Sequence, residues 1–284
     1  MRAISNARDA RELFKQLITL PDTDLPLAEA ALAIAWEDQG GAYPTVALQQ
    51  LDQMVAELEP RLRGINDELQ IIAALNGYLF TELGFRGNVV NYEDPLNSYL
   101  DHVLAGRVGI PITLSVVYLE VGWRLGLPVS GVGLPGHFLV RYTTADATEV
   151  FIDPFHRGRL WTRDECLHRI RSVHSHTTPA QIHALMQAPS RRMIIVRMLR
   201  NLKHNFVARS QFRPALASVE RILLVEPDLS EELRDRGLLR SHLGDLHGAL
   251  RDLERYVQRV PHAPDLPELR RYAAVMTEQL AYNN

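Results

Sequence analysis

Cysteine is nearly missing: Cys166 is the only one in 284 residues, so the chain can form no internal disulfide and build no thiol-rich zinc site. A reducing compartment fits that shortage. Long apolar runs are missing too. The most apolar early stretch, Leu27 to Trp36, is interrupted by Glu29 and is far shorter than a membrane span. The opening MRAISNARDARELFKQL is charged throughout and lacks the apolar stretch and small-residue cleavage site of a secretory signal, so the expectation is a cytoplasmic protein with no membrane partner. A large charge of one sign is absent as well. The net charge is -3, which gives no whole-molecule attraction to nucleic acid. Neither a Walker loop nor a strand-linked G-x-G-x-x-G occurs, and no cofactor is expected; Gly131-Val132-Gly133 reads as a spacer between strands.

What is present is ordinary globular composition, 46% hydrophobic and 23% charged, in a chain long enough for two modest domains. Apolar residues recur at three- and four-residue steps through the first hundred positions, as in Leu48, Leu51, Met54, Val55 and Leu58. The expected helices are Ala7 to Leu20, Pro26 to Asp38, Pro44 to Leu58 and Ile65 to Leu83. Pro26 and Pro44 sit where a helix can begin, because the first turn does not use the missing N–H.

From Asn91 to about Ile170 the pattern changes. ITLSVVYLEVGWRLG, after Gly109-Ile110-Pro111, is apolar nearly all round and predicts a helix buried on most sides, stopped by Gly126 and Pro128. Short β-prone runs follow at Val129 to Val132, His137 to Tyr142, Glu149 to Ile152 and Arg159 to Trp161. A buried helix on a small antiparallel sheet is the economical arrangement. After Pro189 helix returns with an apparent repeat. Ala215 and Ala249, like Pro227 and Pro261, stand 34 residues apart, the tetratricopeptide spacing. With repeats starting at Val196 and Ser230, the small residue expected at the helix crossing is Gly237 in the second repeat but Lys203 in the first, and Tyr256 is bulky where a small residue is usual. Asp265 to Tyr282 is the expected closing helix.

The strings Phe85-Arg86-Gly87-Asn88, Asn97-Ser98-Tyr99-Leu100, Arg107 to Leu114, Pro135-Gly136-His137-Phe138, Asp153-Pro154-Phe155, Asn201-Leu202-Lys203 and Asp235-Arg236-Gly237, in this order and spacing, resemble the SirB-one family of transglutaminase-like proteins with tetratricopeptide repeats. The resemblance implies an α+β fold. Residues 1–189 would be the transglutaminase-like domain, with helices over residues 1–90 and a papain-like core over residues 91–189 that holds a small antiparallel sheet. Residues 190–284 would be an all-α repeat extension.

In the wider transglutaminase-like superfamily a cysteine opens the buried helix, a histidine begins a strand and an aspartate ends the next strand. The chemistry needs that set: a helix N-terminus favours thiolate, the imidazole takes the thiol proton, and the carboxylate fixes the ring. His137 matches the histidine and Asp153 the aspartate, while the cysteine position falls at or next to Pro111. Cys166 lies downstream of both partners and reads as a core cysteine. The resemblance therefore implies a non-catalytic protein that acts by protein or peptide binding, in regulation.

Three other readings stay open. Thr113 or Ser115, in the first turns of the same helix, could serve as nucleophile of a hydrolase or acyltransferase with His137 and Asp153; hydroxyls there more commonly hydrogen-bond to backbone. His102, His137, His156 and Asp153 could converge on a metal, although no H-E-x-x-H spacing supports it, and none is expected. The basic stretch Arg191, Arg192, Arg197, Arg200, Lys203, His204, Arg209 and Arg213 could face RNA or another polyanion, with little aromatic interleaving.

Overall fold

The computed structural model describes residues 7–41, 43–173 and 176–282, so the start of the charged N-terminal stretch lies outside them. The chain divides into two compact units, Met1–Met198 and Leu199–Asn284, at a point inside one continuous helix.

The first unit opens with four helices, α1 (Ala7–Thr19), α2 (Leu27–Gln39), α3 (Thr45–Leu62) and α4 (Glu68–Asn76). Ala10, Phe14, Leu17 and Ile18 recur on one face of α1 and are buried, and Arg11 clamps Glu37 of α2 with two bonds of 2.7 and 2.6 Å. The single helix expected over Ile65 to Leu83 is shorter and changes pitch. Asp67 starts it by accepting the Leu69 N–H at 2.9 Å. It passes into a wide π turn, Gly77–Glu82, where the Leu83 N–H reaches back to the Tyr78 carbonyl.

A short parallel pair follows, β1 (Arg86–Gly87) with β2 (Val108–Gly109), separated by α5 (Leu100–Gly106). Helix α6 (Pro111–Arg124) begins at the proline, and every residue from Pro111 to Gly122 is buried. Four strands then form an antiparallel meander: β3 (Val129–Val132), β4 (Leu139–Thr143), β5 (Glu149–Asp153) and β6 (Arg159–Trp161). The expected strand start at His137 moves to Leu139, because His137 belongs to a turn in which its N–H bonds the Leu134 carbonyl at 3.1 Å.

The sheet is covered on both faces. Val129 meets Gly122 of α6, while Val132, an odd number of residues away and so on the other face, packs with Cys166 and Ile170 of α7 (Arg163–Val173) and Met186 of α8 (Pro179–Met186). Burial of an Ile170-sized side chain there contributes about 1.5–3 kcal/mol. Cys166 is fully buried in this cluster, and burial pushes its thiol up to about 12. Iodoacetamide is therefore expected to leave Cys166 unmodified in the native protein and to alkylate it fully in denaturant. Native alkylation at the rate of a free thiol, read by mass spectrometry, would contradict this packing.

The second unit takes the C-terminal end of α9 (Arg191–Ala208) with α10 (Phe212–Val225), α11 (Ser230–His242), α12 (Leu246–Arg259) and α13 (Leu266–Tyr282). Both ends of α10 and α12 differ by 34 residues, as do the C-terminal ends of α9 and α11. Gly237 is where α11 meets α12 closely: a Cβ there would stand 3.0 Å from Leu253 and 3.1 Å from the Ala249 carbonyl. Tyr256 is accommodated in the α12–α13 core with Leu266, Leu269 and Met276, its hydroxyl donating to Asp265 at 2.9 Å. None of the described helices is long and apolar enough to cross a membrane.

Candidate functional site

Asp153 is the last residue of β5, and Pro154 ends the strand by removing a donor. The chain then turns, so that the N–H groups of Phe155 and His156 fall on Asp153 Oδ1 at 3.0 and 3.2 Å. That turn also swings the His156 ring onto Asp153 Oδ2 at 2.7 Å. His137 arrives from the turn before β4, and its Nε2 meets the same oxygen at 2.7 Å. An ionised carboxylate only accepts, so both ring nitrogens carry hydrogen and donate. Asp153 is fully buried, His137 nearly so, and the His156 side chain is half exposed. Burial alone would raise the Asp153 pKa. The hydrogen bonds and charges of His137 and His156 outweigh it and hold the carboxyl below its usual value.

Around the imidazole, the Trp161 ring stacks on His137 at 5.5 Å between centroids, and Phe155 meets it edge-on at 6.2 Å. Arg197 of α9 fixes the turn from behind, donating to the Leu134 and His137 carbonyls at 2.7 and 2.5 Å. With Nε2 committed to Asp153, Nδ1 of His137 has no partner among the described residues. That tautomer and orientation suit an imidazole that takes a proton from a group approaching Nδ1.

The start of α6 lies against this turn, since Ser115 Oγ donates to the Phe138 carbonyl at 3.3 Å. Pro111 is one turn earlier on the same helix face. The hydroxyls beside it are committed elsewhere. Thr113 Oγ1 accepts from the Ile110 N–H at 3.2 Å and faces the carbonyls of Asn97, at 2.7 Å, and Ile110, at 3.1 Å, while Ser115 holds Phe138. The structure thus brings His137 and Asp153 together and turns Thr113 and Ser115 to backbone. Cys166, among α7 and sheet residues, belongs to neither arrangement.

The four residues considered for a metal do not all meet. His102 bonds Gln39 at 2.6 Å. His137, Asp153 and His156 offer ligand atoms within 4.8 Å of one another and are the described residues that could hold an ion. In the structure both imidazoles use those atoms on one carboxylate oxygen.

The basic stretch is spent largely on the fold. Arg191 donates to Leu25 and lies over the Trp123 ring, Arg192 donates to Ile18 and Leu20, and Arg197 holds the histidine turn. Arg200 and Lys203 both bond Glu232. At least five of the eight cations therefore have internal partners, which interrupts the continuous cationic face that polyanion binding needs. Sequence reasoning missed Trp161 and Arg197 as neighbours of His137, and weighed His156 only as a ligand. Its signal was the three-residue step from Asp153 through a proline turn.

Residues 45–200 match the model of the transglutaminase-like superfamily and residues 202–274 that of the tetratricopeptide repeat. The UPF0162 protein of Xylella fastidiosa strain Temecula1 is 39% identical over 265 residues, 91% of this chain and 92% of its own length. That of Vibrio cholerae is 27% identical over 254 residues, 87% of this chain and 92% of its own. The human F-box only protein 21 is 30% identical over 226 residues, 69% of this chain but 35% of its own. Identity this high across nearly the whole length, on a shared arrangement of domains, places the chain in the transglutaminase-like superfamily, among its UPF0162, SirB-like members that end in tetratricopeptide repeats.

Proposed function

We propose that this protein is a non-catalytic member of its superfamily, a cytoplasmic regulator that binds a protein or peptide. The observation that carries this reading is the state of the α6 N-terminus. The carboxylate fixes the imidazole as acyl transfer would need, yet the start of the helix that packs on the histidine turn offers a proline, and the hydroxyls of Thr113 and Ser115 are bonded to backbone carbonyls. An imidazole without a nucleophile can still hold a ligand group by hydrogen bonding. Tetratricopeptide helices add surfaces that receive extended or helical partners.

The test is covalent labelling. A fluorophosphonate and an activated acyl ester are expected to leave Thr113 and Ser115 unmodified in the native chain. Pro111→Cys is expected to introduce a thiol at the helix start that iodoacetamide alkylates at least about tenfold faster than buried Cys166, and about tenfold slower when His137→Ala is added. Acylation of Thr113 or Ser115 that disappears in His137→Ala would overturn the non-catalytic reading.

A further inference from the structure

We infer that the cleft between the β1 loop and the turn after β5 is a receptor for the C-terminal carboxylate of a peptide that ends in aliphatic residues. This rests on the peptide-binding reading above and gives its ligand a chemistry. The cleft has a volume of about 430 Å³, within the range of small-ligand sites. Its floor is Phe155, which can lie there because residue 87 is glycine: a Cβ at Gly87 would stand 2.5 Å from the ring. The same ring touches His137 and His156, so the cleft adjoins the imidazole pair.

Two features point to the ligand. Arg86 and Arg157 line the cleft, and no carboxylate does. Both residues are exposed; among the described residues neither guanidinium has an ion-pair partner, and Arg86 reaches only the Gly84 carbonyl, at 3.4 Å. Asp153, behind His156, is buried with both oxygens occupied. Arg157 also holds a left-handed backbone, φ 55°, a conformation that glycine adopts without strain and arginine does not. Guanidinium forks with no carboxylate partner in such a place match a carboxylate.

The second feature is apolar. Val89 and Val90 are 75% and 94% exposed on the rim. They are held there: Asn88 accepts the Asn91 N–H at 3.0 Å and donates to buried Asn97 at 2.9 Å, and Asn97 in turn donates to the Asn91 carbonyl at 2.7 Å. Two valines fixed outward next to two cations without ion-pair partners fit an aliphatic residue carrying its own terminal carboxylate. An isolated acidic side chain would leave the valines uncovered.

The test uses the full chain, immobilised, and a pool of hexapeptides with two terminal aliphatic residues. One set has free acid ends, a second has C-terminal amides, and a third carries an internal glutamate with an amidated end. Capture is read by mass spectrometry. The free acids are expected to be enriched at least about tenfold over both amidated sets, and Arg86→Gln or Arg157→Gln to remove most of that preference. Arg157→Gly removes the charge and relieves the backbone, so it is expected to fold at least as well as the native chain and to lose the preference too. Equal capture of acids and amides, preference for internal glutamate, or unchanged capture by the arginine variants would each overturn the inference while leaving peptide binding intact. Capture of no set would overturn it as well; the non-catalytic reading is judged separately by labelling at Thr113 and Ser115.

Discussion

Replacing Asp153 by alanine is expected to destabilise the first unit by about 3–5 kcal/mol, because it removes one partner of a buried, charged network and strands the others. Four donors lose their acceptor together: two ring N–H groups and the N–H groups of Phe155 and His156. Neither backbone group has another acceptor in the turn, and His137 is too buried for water to replace the carboxylate fully. Tryptophan fluorescence is the right probe, since Trp36, Trp123 and Trp161 all lie in the first unit and Trp161 stacks on His137. The urea midpoint should fall by at least about 1 M. Asp153→Asn should cost about 1–2 kcal/mol, because an amide oxygen can still take the two backbone donors while each ring shifts its hydrogen to the other nitrogen. Equal midpoints for alanine and wild type would mean that the network contributes nothing.

The same residue sets an acid limb. The folded carboxyl titrates below its ordinary 3.8, so near and below that pH the unfolded chain binds a proton that the folded chain does not. Its contribution to stability is thus complete well above 3.8 and is lost as the pH falls through the depressed folded value. Asp153→Ala should remove that component of the pH slope.

Much of this arrangement is visible in the residues alone. Pro111 marks the start of α6 because a ring-locked φ and a missing N–H suit a first turn, and an all-apolar run can only be buried. The ends of β3 and β6 follow from alternation bounded by turn residues. His137 is read as strand because His-Phe-Leu-Val continues the β-prone pattern, whereas Gly136, with φ 64°, and the bond to Leu134 make it a turn. The direction of a hydroxyl has no sequence signal, since Thr113 can serve a helix start or an imidazole with the same neighbours. The hold of His156 on Asp153 comes from turn geometry, which residue spacing only hints at. The cleft of Arg86 and Arg157 joins segments about seventy residues apart, and only the fold brings them to one place.

Lys203 shows what replaces a small residue at a repeat crossing, and it leads to the second large effect. Its ammonium bonds Glu232 at 2.8 Å and Asp235 at 2.7 Å, while Arg200 takes the other Glu232 oxygen at 2.7 Å. Glu232 is 1% exposed, so its charge is tolerable only because two cations reach it. Close packing of α9 on α11 has thus been exchanged for a buried ionic contact within the second unit. Glu232→Ala is expected to cost about 3–5 kcal/mol, since it leaves half-buried Lys203 with Asp235 alone and Arg200 with no carboxylate in place of Glu232. Lys203→Ala should cost less, because Glu232 keeps Arg200. The double variant should be milder than the sum of the two, with a coupling of about 1–3 kcal/mol. Far-UV circular dichroism in urea, following the helical signal, is the measurement, with exposed Glu278→Ala as the reference. Strict additivity of Glu232→Ala and Lys203→Ala, or a loss no larger than the reference, would show that the repeat is held by its apolar faces alone.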